Sequence, residues 1–206
     1  RDYYELKSFY DNEYGLNNSE SREIKITVSL TTYGERIYDV CKTIQSLFNQ
    51  SFKADRIILW LSKEEFDYQG IPLILKNMEK RGLQIKYCED IKSYKKLIPT
   101  LSICPENIII TVDDDIIYPN DLIESLYKEY LKNSDKVIFN LGKKISFEKD
   151  GTLSPYDKWE KNGKFTEASF LLIGIGVGGI LYPPFCFDKE ILNKKNFMKL
   201  SPYADD

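Results

Sequence analysis

The sequence predicts an α/β fold, a mostly parallel central sheet with helices on both faces. Short β-branched apolar runs alternate with amphipathic stretches through about residue 140, the pattern of a sheet crossed and recrossed by helices. The amphipathic stretches hold their apolar residues at helical spacing. The third observation is chemical. The run Asp113-Asp114-Asp115 follows directly on the apolar stretch 107–112, and open α/β sheets bind their ligands just past the carboxyl ends of their strands.

Each element has its own warrant. The first 22 residues, rich in Asp, Glu, Asn and Ser, read as a lead-in. A strand is expected over 24–30. The helix after it is marked by Ile37, Val40, Cys41, Ile44, Leu47 and Phe48 on one stripe. A second strand over 56–61 leads through a polar loop to a short helix over 73–80, with Gly82 suited to its C-cap. A third strand covers 83–87 and a helix 94–102. The fourth strand, 107–112, lacks polar alternation and so reads as buried on both faces. The helix beyond it carries Leu122, Ile123, Leu126, Tyr127, Tyr130 and Leu131 on one face, and a fifth strand is expected over 136–140. After about residue 142 the alternation fades into charged loops, a Gly-rich apolar stretch and short helices. With no repeat or linker in view, a single domain is expected over 1–206.

Composition narrows the chemistry. A net charge of −3 with interleaved lysines and acids gives no global field for nucleic acid or an anionic membrane. Cys41, Cys88, Cys104 and Cys186 have neither paired nor zinc-type spacing and read as small buried hydrophobes in a reducing compartment. Histidine is absent. Imidazole bases, Ser-His or Cys-His nucleophiles and His-ligated zinc are thereby excluded, and acid–base work falls to carboxylates, Tyr or Lys. The chain opens on Arg1 and stops at Asp206, so it is expected to be a trimmed piece with a membrane anchor or further domain outside it.

Four constellations could carry chemistry. Three adjacent carboxylates repel unless a cation or solvent offsets them. A hard divalent ion, Mg²⁺ or Mn²⁺, held by one or two carboxylates plus phosphate oxygens, fits Asp113-Asp114-Asp115; a solvated acidic turn ahead of Pro119 is the alternative. Thr31-Thr32-Tyr33-Gly34-Glu35-Arg36, at the end of strand one, offers hydroxyls, an aromatic ring and a cation to a nucleotide, or else a helix N-cap. Lys92-Ser93-Tyr94-Lys95-Lys96 would welcome a diphosphate, or is a plain solvated helix end. Gly174 to Gly179 spells G-x-G-x-x-G, but far from strand one and running into Pro183-Pro184. A dinucleotide fingerprint is therefore rejected, leaving a sugar-lining loop or an apolar strand with a tight turn.

Taken together in this order, these segments resemble the glycosyltransferases of the Rossmann-related GT-A fold, close to the family-2-like enzymes of bacterial surface polysaccharide biosynthesis. The likeness rests on residues 28–33 with Arg36, 57–61, Lys96-Leu97-Ile98-Pro99, 111–115, Gly178-Gly179 with Tyr182-Pro183, and Tyr203-Ala204-Asp205-Asp206. It implies a transferase that uses a nucleotide-sugar donor, a UDP-sugar, with Mn²⁺ or Mg²⁺. Asp113 and Asp115 would be the outer members of the DxD motif, with Asp115 the preferred metal ligand. Thr31, Tyr33, Arg36, Lys96, Asp113 and Asp114 would line the donor site, with Lys96 on the diphosphate. Asp206, beside Asp205, would be the base of an inverting transfer to a glycan or lipid-linked acceptor. Cytoplasmic placement at the inner face of the membrane, through segments outside this chain, goes with that reading. The alternatives are a nucleotidyltransferase, for which residues 30–36 lack a Gly-rich phosphate loop, and a non-catalytic nucleotide- or glycan-binding module of the same fold.

Overall fold

The computed structural model describes residues 2–19, 21–67, 70–161 and 167–202. A six-stranded sheet runs through it in the order β3-β2-β1-β4-β9-β5. β1 (Ile26–Thr31), β2 (Arg56–Ser62), β3 (Leu83–Cys88) and β4 (Ile108–Thr111) are mutually parallel. β9 (Ile180–Tyr182) lies antiparallel between β4 and β5 (Ile138–Phe139). A smaller antiparallel sheet joins β6 (Gly142–Lys144), β7 (Glu160–Lys161) and β8 (Leu172–Gly174).

The predicted class is therefore the observed one, and the side chains show why. Along β1, Ile26, Val28 and Leu30 enter one core with α2 (Val40–Phe48), α3 (Leu73–Glu79) and α5 (Leu122–Lys132). The intervening Thr27, Ser29 and Thr31 face the other side. There, α4 (Ile98–Ile103) covers Ser29, whose hydroxyl lies 2.7 Å from that of Thr100; the Trp60 indole N–H donates to the same hydroxyl at 2.7 Å. Both faces of β1 are buried, so hydroxyls on its second face need partners inside the protein, and they have them.

Several expectations are corrected. The lead-in contains a helix, α1 (Asp2–Tyr10), packed on α2 and tied down where the Arg81 guanidinium meets Asp11 at 2.9 Å. The helix expected over 94–102 is two pieces, a 3₁₀ turn at Lys92–Lys96 and then α4, broken at Leu97, where φ −112 departs from helical values. The fifth strand is only two residues long, and it pairs antiparallel with β9. The Gly-rich stretch is the strand-and-turn alternative: β8, a 3₁₀ turn at Gly176–Gly178, then β9. Its glycines allow chain to pack on chain, since a Cβ on Gly178 would lie 2.9 Å from the Leu141 side chain and backbone. Cys186 is exposed and Cys88 half-buried, so only Cys41 and Cys104 are the buried hydrophobes expected of all four.

Candidate active site

The strand order creates the site. Successive connections lead from β1 to β2 to β3 on one side, and the chain then returns to lay β4 on the other side of β1. The helices after β1 and before β4 consequently part, opening a crevice beyond the carboxyl ends of these two strands. Ser29 pairs with Thr111 in the register; two residues further along each chain stand Thr31 and Asp113. A cleft of about 900 Å³ lies here, within the range of small-molecule sites.

The cleft gathers every sequence-predicted donor residue: Thr31, Tyr33, Arg36, Lys96, Asp113, Asp114 and Asp115. Asp205 and Asp206 lie outside the described residues. The acidic run is neither a cage nor a solvated turn. The Asp113 carboxylate accepts from the Lys96 ammonium at 2.9 Å. Asp114 turns inward, is 6% exposed, and accepts from the Thr32 hydroxyl at 2.6 Å. The Arg36 guanidinium spans the remaining charges, 3.1 Å from Asp114 and paired directly with Asp115. The backbone is pinned from α2, where the Thr43 hydroxyl donates to the Asp114 carbonyl at 2.8 Å. Fixed protein cations thus supply the offsetting charge that the sequence argument assigned to a metal.

These contacts shift the ionisations as expected. Burial pushes the Asp114 carboxyl up, against the opposing pull of the Thr32 bond and Arg36. Burial works against the Arg36 charge, but Asp114 and Asp115 outweigh it and hold the guanidinium above its ordinary value. Beside it, Tyr33 is 58% exposed and its ring centre lies 5.3 Å from the guanidinium carbon, leaving an aromatic face open to the cleft. The Thr31 hydroxyl donates to the Trp60 carbonyl at 2.9 Å, so this residue fixes the β1–β2 edge as well as lining the wall.

The far wall was missed in the sequence. Ser62 closes β2, Glu64 stands in the turn beyond it, and Glu65 accepts from the Gly34 N–H at 2.5 Å. Asp90, just past β3, accepts from Lys95 at 2.5 Å and from Lys92 at 2.9 Å. The available signal was position, since each lies at or just past the carboxyl end of a parallel strand. Lys95 and Lys96 are 3% and 6% exposed, which rules out the solvated-helix-end reading for both. Lys92 takes φ +57, uncommon for a residue with a Cβ, and its own N–H bonds the Asp90 carboxylate at 3.0 Å.

The donor chemistry suits a hard divalent ion in one way only. Among the described residues no three His, Cys, Asp or Glu side chains converge on one point, so an all-protein cage is absent there. Asp113 and Asp115 remain, with 31% and 47% of their side chains exposed at the cleft wall. Two carboxylates completed by ligand phosphate oxygens are the usual arrangement for Mg²⁺ or Mn²⁺ at a nucleotide site.

The elements define an α/β fold with a charged crevice at its switch point. No family model matches the sequence, and no curated protein matches it. Among solved structures, it is similar to the mannosyltransferase PcManGT from Pyrobaculum calidifontis, in complex with GDP-Man and Mn²⁺: 19% identity, TM-score 0.42, over 62% of this chain and 39% of that one. It is also similar to HddC from Yersinia pseudotuberculosis at 12% identity and TM-score 0.37, over 88% of this chain and 83% of that one. This chain thus spans well under half of the mannosyltransferase. At such scores neither likeness informs the chemistry.

Proposed function

We propose that this chain is a glycosyltransferase that moves a sugar from a nucleoside-diphosphate donor, a UDP-sugar, to a glycan or lipid-linked acceptor with inversion. One observation carries the reading: a carboxylate run at the β1/β4 switch point shares its cleft with buried Lys96, with Arg36 and with the open ring of Tyr33. Tyr33 provides a stacking face for the base. Lys96 and Arg36 provide the cations that a diphosphate needs, and the planar guanidinium suits phosphate oxygens two at a time. Asp113 and Asp115 would hold Mn²⁺ or Mg²⁺, which when bound supplies charge stabilisation to a departing diphosphate. Lys96 would add to that stabilisation from a buried position, where a fixed cation acts most strongly. In this proposal Asp206 takes the proton from the acceptor hydroxyl opposite the leaving group, with Asp205 beside it. Every step is open to a chain without histidine.

No helix among the described residues is long and apolar enough to cross a membrane.

The test is a thermal-shift screen of nucleoside diphosphates and nucleotide sugars with and without Mn²⁺, followed by donor hydrolysis. Ligands selective for the folded state raise its melting temperature, by about 2.7 kcal/mol of stability at a hundredfold excess over Kd. A Mn²⁺-dependent shift with UDP-sugars and slow release of UDP is expected. Absence of any nucleotide shift would remove the reading, whereas binding without turnover would favour the non-catalytic module.

A further inference from the structure

Two cations stand where a metal would approach the acidic run. The Lys96 ammonium is 2.9 Å from an Asp113 oxygen. Arg36 holds Asp114 at 3.1 Å through one guanidinium nitrogen and Asp115 through the other. Both carboxylates offered to a metal, Asp113 and Asp115, thus already have a protein counter-ion. A dication arriving alone meets these like charges within a few ångströms, inside the distance at which salt screens little. A diphosphate reverses the situation, because its oxygens are acceptors for the same ammonium and guanidinium.

We propose that Lys96 and Arg36 are shared counter-ions, handed from the carboxylates to the diphosphate, so that metal binding is weak alone and strongly coupled to nucleotide binding. This rests on the reading of the cleft as a metal–diphosphate site. Arg36 is suited to the exchange because it lines the cleft with 39% of its side chain exposed. Lys96 is suited because it lines the cleft with only 8% of its side chain exposed, its ammonium already on Asp113. Asp114 takes no part as a ligand. It is buried, bonded to Thr32, and anchors the guanidinium on the far side. Linkage makes the coupling reciprocal, so metal tightens nucleotide by the factor by which nucleotide tightens metal.

The coupling is tested by binding rather than turnover. Mn²⁺ affinity is measured by electron paramagnetic resonance on the protein alone; UDP and inorganic pyrophosphate affinities are measured by calorimetry in EDTA. Lys96→Met, which keeps the stem and removes the charge, should tighten Mn²⁺ alone about tenfold, within the usual range for coupled sites. The same variant should weaken UDP and pyrophosphate in EDTA by a similar factor. Opposed shifts are the signature, since a merely structural lysine would weaken both. Arg36→Gln provides the same opposed pair of measurements if Lys96→Met does not fold. Unchanged or weaker Mn²⁺ binding in the folded variant overturns the handover while leaving the site reading in place. If Mn²⁺, UDP and pyrophosphate fail to bind the wild type singly and together, both fall.

Discussion

Asp90 shows at the scale of one residue how the cleft is held. Its carboxylate accepts from the ammonium groups of Lys95 and Lys92 and from the Lys92 N–H. The Lys95 and Lys92 bonds hold its pKa far below the usual carboxylate range despite partial burial. A carboxylate depressed in the folded state binds protons more readily when unfolded, so it adds stability above its unfolded pKa of about 3.9. That contribution is lost as the pH falls from there through the folded value. Asp90→Asn should therefore lower the melting temperature at pH 7, at a cost of about 1–2 kcal/mol. A fully buried pair would cost more, but a third of this carboxylate meets solvent. The gap from wild type should narrow in melts recorded below about pH 4; a gap constant from pH 7 to pH 3 would remove the ion pair as its cause. Partner choice of this kind is where sequence reading stops. Lys92, Lys95 and Asp90 are near neighbours, whereas Arg36 and Asp115 are 79 residues apart and meet only because β1 and β4 are adjacent. Residue types announced an anion-binding and cation-binding cleft; which charge neutralises which is a tertiary fact.

At the scale of elements, the strands and helices legible in the sequence were those with strong local periodicity. β1 to β4, α2 and α5 fall where apolar spacing puts them. Those missed owe their state to distant contacts. β9 has three residues and becomes a strand by filling the space between β4 and β5. α1 leaves Tyr3, Leu6, Phe9 and Tyr10 exposed and is retained by Asn49 on Lys7 and by Arg81 and Gln45 on Asp11, just past its end. Turn chemistry was more readable: Gly82 closes the α3–β3 turn at φ +112, outside the regions open to other residues. A Cβ there would also lie 2.7 Å from the Leu16 side chain, itself part of the core. Gly151 is a built-in control, with φ +83 and nothing within 4 Å of an added Cβ. Gly82→Ala should cost roughly 2–4 kcal/mol, from strain plus overpacking, and Gly151→Ala roughly 1–2 kcal/mol from strain alone. Urea unfolding should show the larger midpoint shift for Gly82→Ala with slopes unchanged. Equal shifts would mean that Leu16 yields without cost.

At the scale of the whole molecule, the proposed reaction divides between two regions that fail differently. The donor side is a wall built from the ends of β1, β2, β3 and β4. The proposed base, Asp206, belongs to the tail outside the described residues. Asp115 is surface-exposed at 47% of its side chain, so its removal deletes a charge without opening a cavity. Asp115→Ala should leave thermal stability within about 0.5 kcal/mol of wild type, as for surface changes that touch no packing, and should abolish the Mn²⁺-dependent gain in nucleotide affinity. Asp206→Asn should do the reverse, preserving Mn²⁺-dependent donor binding while lowering transfer by about 10²–10⁴, the range expected for loss of a general base. Donor affinity and transfer measured on both variants separate the roles, because metal retention enters binding and proton removal enters only the chemical step. If Asp206→Asn lost donor affinity and transfer in equal measure, the tail would be part of the donor pocket, and the base would have to be sought among the carboxylates of the cleft wall.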